Sequence, residues 1–417
     1  MRLKLIMLIQ IFFRENKMFS FFIILNIIAS QAVFSQQIPE KKLLVDIANL
    51  NGGTVSEIFL ENEYIPLENT KESEVNRVDK VLETKDNYLI LDTKKPGKIF
   101  IFDKQGKFVR KIKEIPGKKT TADGFRNLWL DEAKNEIISE VFSTIDGLNL
   151  IYFDLNGNFL RSKKQPHGDR DLYYINQNIF AGVSSYYQSG DLNKKDRPNF
   201  HLSFYKDGKM IKQYFPIDTA ILNLDLDDII YRPSGIDVTD PAFLFVNTAS
   251  YKVFNVNEKG INAIYNIVLP LKNTLPADFM TNKAHQGKRY QMASANKDLV
   301  YGFQNLYKLK NWLFFSANHV NDDDLIMYNL QTSSAIELRH VQGDASNAYL
   351  PVFLFEGLVG VSHQNIYTTL SAAELFQSKT DMSAKNPAYS KLLSDFFAKS
   401  SRLSNPVLVR LKLKGDF

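Results

Sequence analysis

The sequence contains no cysteine, which excludes several kinds of chemistry at once. Its 417 residues carry no thiol, so disulfides, thiolate metal sites, iron–sulfur clusters, cysteine nucleophiles and the lipid-acceptor cysteine of a bacterial lipoprotein are ruled out. The six histidines include no pair at the three- or four-residue spacing of a helical metal site. Neither a P-loop nor a nucleophile elbow occurs. We therefore expect no metal, no cofactor and no catalytic residue that local sequence can identify.

Long hydrophobic runs are also absent. The apolar segments at 5–13 and 19–29 are shorter than the ~18 residues that a membrane-spanning helix requires. The second segment has the length of a signal-peptide core and follows two basic residues. Val33 and Ser35 fit the −3 and −1 positions of a cleavage site. We predict a signal peptide over 1–35, no stable membrane span after its cleavage, and export to the periplasm or the extracellular space.

A strong positive charge is missing from the rest of the chain. Removing the predicted leader removes four basic residues and one acidic residue, which lowers the formal charge from +5 to +2. A nucleic-acid-binding domain carries a basic stripe, whereas Lys118–Lys119 and Lys163–Lys164 are isolated doublets. We expect no nucleic-acid partner. Translation from Met18 and an uncleaved anchor are the alternatives for the N-terminus, and neither alters this conclusion.

What the sequence does contain is a repeat of about fifty residues. Each copy has an alternating apolar strand, a polar turn with a glycine, and a second alternating strand. The turn glycines are separated by 51, 51 and 52 residues. Glycine supplies the positive φ that a tight hairpin turn requires. The four copies are 98–112, 148–162, 201–215 and 251–269, with Gly106, Gly157, Gly208 and Gly260 in their turns.

The repeat predicts an all-β protein built from four-stranded antiparallel units. One or two further strands precede each hairpin, a fifth unit covers 303–339, and a sixth combines 354–370 with 405–414. Helical spacing of apolar residues predicts a helical insert over 387–400. A single four-stranded sheet cannot bury both of its faces, so the units must stack or close into a ring. We expect an early strand at 57–67 to pair with the C-terminal strand and close that ring.

Three segments resemble a known family, the six-bladed β-propeller proteins that Bacteroidetes encode abundantly. They are YIPLE, ILDTKKPGKIFIFDKQGKFVRKI and the closing SNPVLVRLKLK. The resemblance covers about 54–414 and implies an exported six-bladed β-propeller over 54–417, preceded by a short linker at 36–53. The Gly-rich acidic stretch after the first blade of that family is reduced here to IPGKKTTADGF. Most members are uncharacterised, so the resemblance implies a fold and a compartment but no reaction. We expect a monomer.

Three polar clusters are candidate metal or acid–base sites. His167 lies in PHGDRD with two aspartates and an arginine, which is the composition of a metal or acid–base group. Acidic runs at 225–228 and 322–324 carry the oxygen ligands that calcium prefers, but lack the glycine and glutamate of an EF-hand loop. We interpret all three clusters as polar loops or turns.

The two longest connections between units, 218–236 and 272–300, are the candidate binding loops. In a propeller they lie on the upper face, where strand four of one blade leads to strand one of the next. Long loops on a rigid scaffold commonly carry binding function. They contain the aromatic–cation pairs Tyr231–Arg232 and Arg289–Tyr290, which suit stacking on a sugar or holding a carboxylate. The alternative is that these residues only tie the loops down.

The sequence therefore favours an exported, non-enzymatic binding or scaffold module. Its upper-face loops would recognise a glycan, a peptide or another envelope protein. The alternative is a hydrolase or lyase that acts on a carbohydrate or peptide in the central funnel, because propellers assemble such sites from distant segments. A carboxylate pair in the funnel, or several histidines around an ion, would favour the enzyme.

Overall fold

The computed structural model describes residues 38–112, 124–143, 147–165, 171–184, 199–218, 235–319, 322–355 and 357–415. The predicted signal peptide lies outside these ranges. The described residues from Lys41 onward belong to one compact unit. They are mostly β-strands, as the sequence pattern predicts.

Four of the sheets have four antiparallel strands each. The first three follow the chain, and the fourth joins the two ends of the described chain. The strands of the first are β3 (Lys80–Glu83), β4 (Asn87–Asp92), β5 (Lys98–Asp103) and β6 (Phe108–Ile112). Those of the second are β7 (Phe125–Asp131), β8 (Glu136–Ser143), β9 (Gly147–Asp154) and β10 (Phe159–Lys164). Those of the third are β11 (Asp171–Asn176), β12 (Ile179–Val183), β13 (Phe200–Lys206) and β14 (Lys209–Pro216). Those of the fourth are β2 (Phe59–Pro66), β25 (Val407–Leu413), β24 (Asn365–Leu370) and β23 (Gly360–Val361).

The fifth sheet has nine strands and consists of two four-stranded antiparallel groups with one added edge strand. The first group is β15 (Gly235–Asp237), β16 (Ala242–Val246), β17 (Lys252–Val256) and β18 (Ile261–Val268). The second is β19 (Gly302–Leu309), β20 (Trp312–His319), β21 (Asp322–Asn329) and β22 (Ala335–Glu337). The added strand, β1 (Glu40–Leu44), lies beside β18.

The two groups of the nine-stranded sheet are joined by a parallel pair, β15 with β19. The repeat alone predicts two separate sheets here. Gly235 explains the difference, because a Cβ at that position would lie 2.3 Å from the Cβ of Leu306. Without a side chain, β15 approaches β19 closely enough for the Val238 N–H to donate to the Lys308 carbonyl at 2.8 Å.

Four short α-helices occur among the described residues: α1 (Val55–Ile58), α2 (Arg289–Ala295), α3 (Ala372–Asp381) and α4 (Lys391–Lys399). The predicted helical insert corresponds to α4, whose Leu393, Phe396 and Phe397 are buried. The helical spacing of apolar residues did not predict α3. Its N-terminus carries a capping box, in which the Ser371 and Glu374 side chains each accept a bond from the other's backbone N–H.

The four predicted hairpins are present as β5–β6, β9–β10, β13–β14 and β17–β18. Three of the four turn glycines have the expected positive φ, which is 77° at Gly106, 79° at Gly157 and 80° at Gly208. The expectation was wrong for Gly260, which is not among the positive-φ residues. There the Asn257 side chain closes the turn by accepting from the backbone N–H groups of Lys259 and Gly260.

The core lies between neighbouring sheets. For example, Leu89 and Leu91 of β4 belong to one buried cluster with Ile137 of β8 and Ile151 of β9. Each sheet therefore uses its neighbours to bury its faces, so a unit cannot be stable alone.

The N-terminal strands bind distant parts of the chain. The predicted pairing of the early strand with the C-terminal strand is confirmed, since β2 pairs with β25 from Phe59↔Leu413 to Pro66↔Val407. The expected linker at 36–53 contains β1. Leu43 and Val45 are buried in the same cluster as residues of β17 and β18, and this burial holds the segment on the sheet.

Replacing Gly235 tests the close approach of β15 and β19. We expect Gly235→Ala to lower the free energy of unfolding by about 1–3 kcal/mol, the usual cost of overpacking. Gly260→Ala is the matched control, because a Cβ there meets nothing within 4 Å. Its effect should stay within about 0.5 kcal/mol. Urea unfolding followed by circular dichroism measures both, and equal effects would contradict this account of the joined sheet.

Candidate functional site

The described structure contains a cavity of about 640 Å³. We call it the inner-strand cavity, because one edge strand of every four-stranded group contributes to its lining. We call these edge strands the first strands. Those strands are β3, β7, β11, β15, β19 and β23. The lining continues into the turns between first and second strands, at Ala133, Gln177, Pro241 and His363. In an antiparallel four-stranded sheet these turns lie at the same end as the turn between the third and fourth strands, which is the end that carries the hairpin glycines.

Close backbone contacts fix the first strands relative to one another. Besides the β15–β19 pair, the Val81 N–H of β3 donates to the Val359 carbonyl at 2.7 Å. A Cβ on the neighbouring Gly360 would lie 2.3 Å from the Val81 carbonyl oxygen. The cavity wall is thus a rigid frame of the kind that holds binding groups in place.

Five carboxylates line the cavity, and each forms an ion pair. The pairs are Arg77–Asp79 at 2.6 Å, Lys104–Glu83 at 2.9 Å, Lys134–Asp131 at 3.1 Å, Lys308–Asp237 at 2.9 Å and His363–Glu132 at 3.4 Å. The last of these is an ion pair only when the imidazole is protonated. These acidic side chains are thus held by basic partners around the cavity.

Asp237 is the most buried of these carboxylates, with 1% of its surface exposed. Besides the Lys308 ammonium, it accepts from Asn255 Nδ2 at 2.8 Å and from the backbone N–H of Thr239 at 3.0 Å. Because Lys308 belongs to β19, this charge pair joins the two groups of the nine-stranded sheet at the cavity wall.

Glu83 joins the first strand β3 to β24. Its carboxylate accepts from the Tyr367 hydroxyl and from Asn365 Nδ2. Burial alone would raise the pKa of Glu83, but the hydrogen bonds from Tyr367 and Lys104 outweigh burial and hold the pKa below its usual range. In Tyr367, burial and the nearby carboxylate raise the pKa of the hydroxyl. The Glu83 carboxylate therefore bridges β3 and β24.

Asp131 is held in the same way between two sheets. Burial opposes ionisation, yet Tyr174 and Lys134 lower the pKa of Asp131 below its ordinary value. Lys134 Nζ also donates to Asn178 Oδ1 at 2.7 Å, in the turn that follows β11. This hydrogen bond joins the turn after β7 to the turn after β11, and both turns contribute to the cavity lining.

Lys80 differs from the other charged groups of the lining. No carboxylate among the residues that the structure describes pairs with its ammonium group, and burial alone lowers the pKa of Lys80 to about 8. Part of the side chain remains open to the cavity. Its Nζ lies 5.8 Å from the ring centroid of Trp129, within the range of a cation–π contact.

Trp129 of β7 and Tyr307 of β19 complete this part of the wall. Trp129 is 3% exposed, and its Nε1–H has no hydrogen-bond partner within the described part of the chain. The ring is fixed edge-on against Phe180, with centroids 6.0 Å apart. Burial raises the pKa of the Tyr307 hydroxyl. Lys80 and Trp129 thus present two donors from neighbouring first strands.

The predicted binding residues have different surroundings. Tyr231 and Arg232 lie outside the described residues. Arg289 is 3% exposed, and its Nε and Nη2 donate to the carbonyls of Phe279 and Met280, both at 2.9 Å. Its guanidinium therefore ties the loop to α2, which is the alternative considered above. Tyr290 is half exposed. A binding role for these residues stays a prediction.

The other polar clusters are explained by local bonds or lie outside the described ranges. His167 and the run at 225–228 are outside. Asp323 pairs with Arg339 at 2.9 Å and Asp324 with His319 at 2.8 Å. The hydrogen bond that Asp324 accepts from the imidazole is the main reason why the pKa of His319 is raised. No group of three or more His, Asp or Glu side chains in the described ranges is arranged to hold a metal ion.

Comparison with known proteins places the chain in a family. A family model described as "Domain of unknown function (DUF4934)" matches residues 42–412. The chain belongs to the DUF4934 family. Search of the curated proteins found no match to this DUF4934 chain. Within the described residues, no helix combines the length and the apolar character needed to cross a membrane.

Solved structures resemble the DUF4934 chain at low sequence identity. The structure of a Bacteroides fragilis protein thought to be exported aligns over 90% of this chain and 99% of its own, with 15% identity and a TM-score of 0.66. A glucose dehydrogenase-type oxidoreductase of Thermus thermophilus aligns over 84% and 99%, with 12% identity and a TM-score of 0.36. The β-propeller domain of the trilobed protease of Pyrococcus furiosus aligns over 70% and 91%, with 10% identity and a TM-score of 0.28. At 15% identity, the likeness to the Bacteroides fragilis structure concerns the fold alone.

Proposed function

We propose that this DUF4934 chain is a six-bladed β-propeller that binds a small ligand in the inner-strand cavity. The observation that carries the proposal is the composition of the lining, to which the first strand of every four-stranded group contributes. In a propeller the first strands surround the axis, so a shared cavity is expected there. The pairing of β2 with β25 supports ring closure, and the parallel β15–β19 contact is compatible with neighbouring innermost strands.

The size of the cavity limits the ligand. Small-molecule sites commonly measure about 300–1,000 Å³, and the inner-strand cavity, at about 640 Å³, falls within this range. It suits a small molecule or the terminal unit of a glycan or peptide better than a folded protein. Binding is favoured over hydrolysis because the cavity carboxylates are committed to ion pairs.

We extend the proposal to an exported location. The likeness to the Bacteroides fragilis protein and the leader-like pattern of residues 1–35 both support it. The periplasm and the extracellular space suit this proposal equally.

Blocking the cavity tests the proposed function. Mono- and disaccharides, sugar acids, amino acids and dipeptides are screened against the purified protein by saturation-transfer NMR. Ile175 lines the cavity and is half-buried, so Ile175→Trp should fill it and abolish the binding of any compound that the unaltered protein retains. Val109→Trp is the control, because Val109 is 54% exposed on β6 and should leave binding intact.

Two results would overturn the proposal. One is that none of these compounds binds the unaltered protein. The other is that Ile175→Trp and Val109→Trp bind a compound equally well. A Tyr290→Ala variant separates the cavity from the predicted loop site, since a loop site would lose binding there and a cavity site would not.

A further inference from the structure

Lys80 contributes an ammonium group to the lining of the inner-strand cavity. Four of the five lining carboxylates pair with a lysine or an arginine, and Glu132 lies 3.4 Å from His363, whereas no carboxylate among the described residues pairs with Lys80, and burial is the single cause of its pKa shift. Beside it, the Trp129 Nε1–H is buried without a partner in the same described ranges. These two side chains meet across neighbouring strands, with Nζ 5.8 Å from the indole centroid.

Both groups are hydrogen-bond donors, and this restricts what can satisfy them. A buried donor without an acceptor costs about 1–3 kcal/mol, and more when it is charged. A packed core usually avoids that cost, because nearly all buried polar groups find partners. An acceptor with a negative charge would satisfy both donors, and charge-assisted bonds of this kind are among the strongest in proteins.

We propose that the inner-strand cavity binds a small ligand through a carboxylate group, which accepts hydrogen bonds from Lys80 Nζ and Trp129 Nε1. A single negative charge matches the Lys80 ammonium. A doubly charged phosphate would leave excess negative charge in a cavity lined by five carboxylates, so a monoanion fits better. This inference rests on the proposed function, and it adds the chemical class of the ligand.

Trp129 provides a direct optical readout of binding. The sequence has two tryptophans, so Trp312→Phe leaves Trp129 as the sole one. The probes are matched acid–neutral pairs: acetate and acetamide, glucuronate and glucose, N-acetylglycine and N-acetylglycinamide. We expect saturable changes in Trp129 emission with the acids and none with the neutral partners. The glucuronate and N-acetylglycine arms distinguish a sugar acid from a peptide C-terminus as the source of the carboxylate.

Variants of Lys80 test the assigned contact. Lys80→Met should weaken binding of the best acid at least tenfold, and Lys80→Arg should retain most of it. Lys80→Met removes an unpaired buried charge, so its melting temperature should not fall, and a loss of binding cannot be attributed to unfolding. Lys209→Met, on the exposed edge strand β14, is the control and should bind normally.

The pH dependence gives a second readout that needs no tryptophan replacement. Lysines are methylated reductively with ¹³C-formaldehyde, and the Lys80 signal is assigned by its absence from Lys80→Arg. A bound carboxylate favours the ammonium form, so saturating acid should raise the pKa of Lys80 above about 8. Conversely, binding should weaken as the pH rises above that value. The neutral partners should leave the titration unchanged.

The outcomes separate this inference from the proposed function. Binding that Ile175→Trp abolishes takes place in the cavity. If acids then bind no better than their neutral partners, or if they bind Lys80→Met as well as the unaltered protein, the carboxylate inference is wrong and cavity binding stands. If no acid changes the emission of Trp129 or the titration of Lys80, the inference is likewise overturned. If no compound of the screen binds the cavity of the unaltered protein, the proposed function itself is rejected.

Discussion

Lys308→Met is expected to lower the free energy of unfolding by about 3–5 kcal/mol, because it leaves a buried carboxylate without its charge partner. Asp237 is 1% exposed, and the Lys308 ammonium lies 2.9 Å from its Oδ2. Methionine keeps the aliphatic stem of lysine and removes its charge. The remaining hydrogen bonds to Asp237, from Asn255 and two backbone N–H groups, limit the loss but do not neutralise the carboxylate.

Urea unfolding at neutral pH measures this effect, and Lys412→Met is the matched control. Lys412 also pairs with a carboxylate across strands, Glu61 at 2.8 Å, but that pair is exposed to solvent. Exposed pairs contribute about 0–1 kcal/mol. The double variant Asp237→Asn/Lys308→Met should regain much of the loss, since no buried charge remains. Equal effects of Lys308→Met and Lys412→Met would show that the burial of Asp237 does not determine how much its ion pair with Lys308 contributes to the free energy of unfolding.

The sequence was sufficient to predict the strands and hairpins because they depend on local patterns. Alternating apolar residues define β5 and β6, and the turn at Gly106 has the positive φ that glycine permits. The pairing of β2 with β25 was also predictable, since both ends carry strand-like segments and an open sheet edge is unfavourable. Local patterns set the strands and hairpins, whereas the pairing of β2 with β25 follows from the closing of an open sheet edge by distant segments.

Other parts of the fold depend on contacts between sheets, which local sequence does not reveal. The joining of β15 to β19 rests on the space beside Gly235, and that space is defined by Leu306 on another strand. The strand β1 forms in an expected linker because Leu43 and Val45 are buried with residues of β17 and β18. By contrast, α3 had a local signal, the Ser371–Glu374 capping box, which the spacing analysis overlooked.

The candidate site was not predictable in the same way. Lys80 and Trp129 belong to separate sheets, and each looks ordinary within its own strand. The predicted pair Arg289–Tyr290 was chosen for its chemistry, yet the arginine donates to the carbonyls of Phe279 and Met280. A sequence does not show whether an arginine faces solvent or its own backbone. The strand β3 has a lysine and a glutamate at its two ends, so no local signal distinguishes Lys80.

Asn405 connects the two ends of the described chain through three hydrogen bonds. It is 3% exposed and directly precedes Pro406 and β25. Its Nδ2 donates to the Glu68 carbonyl at 2.8 Å and the Ser73 carbonyl at 2.6 Å, and its Oδ1 accepts from the Val75 N–H at 2.9 Å. The segment after β2 is thereby held against the start of the last strand, so this asparagine gives the closing SNPVLVRLKLK a structural role.

Asn405→Asp should therefore lower the free energy of unfolding by about 3–5 kcal/mol at neutral pH. The aspartate has the same shape, but it loses both donors and places a buried negative charge against two carbonyl oxygens. Those oxygens raise the pKa of the new carboxyl in the folded state above its value in the unfolded state. The folded state then binds the proton more tightly, so stability is lost as the pH rises and recovered as it falls. We expect the difference in melting temperature from the unaltered protein to shrink between pH 7 and pH 4.

Asn156→Asp, at an exposed turn position, is the control, and its effect on the free energy of unfolding should stay within about 0.5 kcal/mol. A loss at Asn405 that does not depend on pH, or one no larger than that at Asn156, would contradict this role.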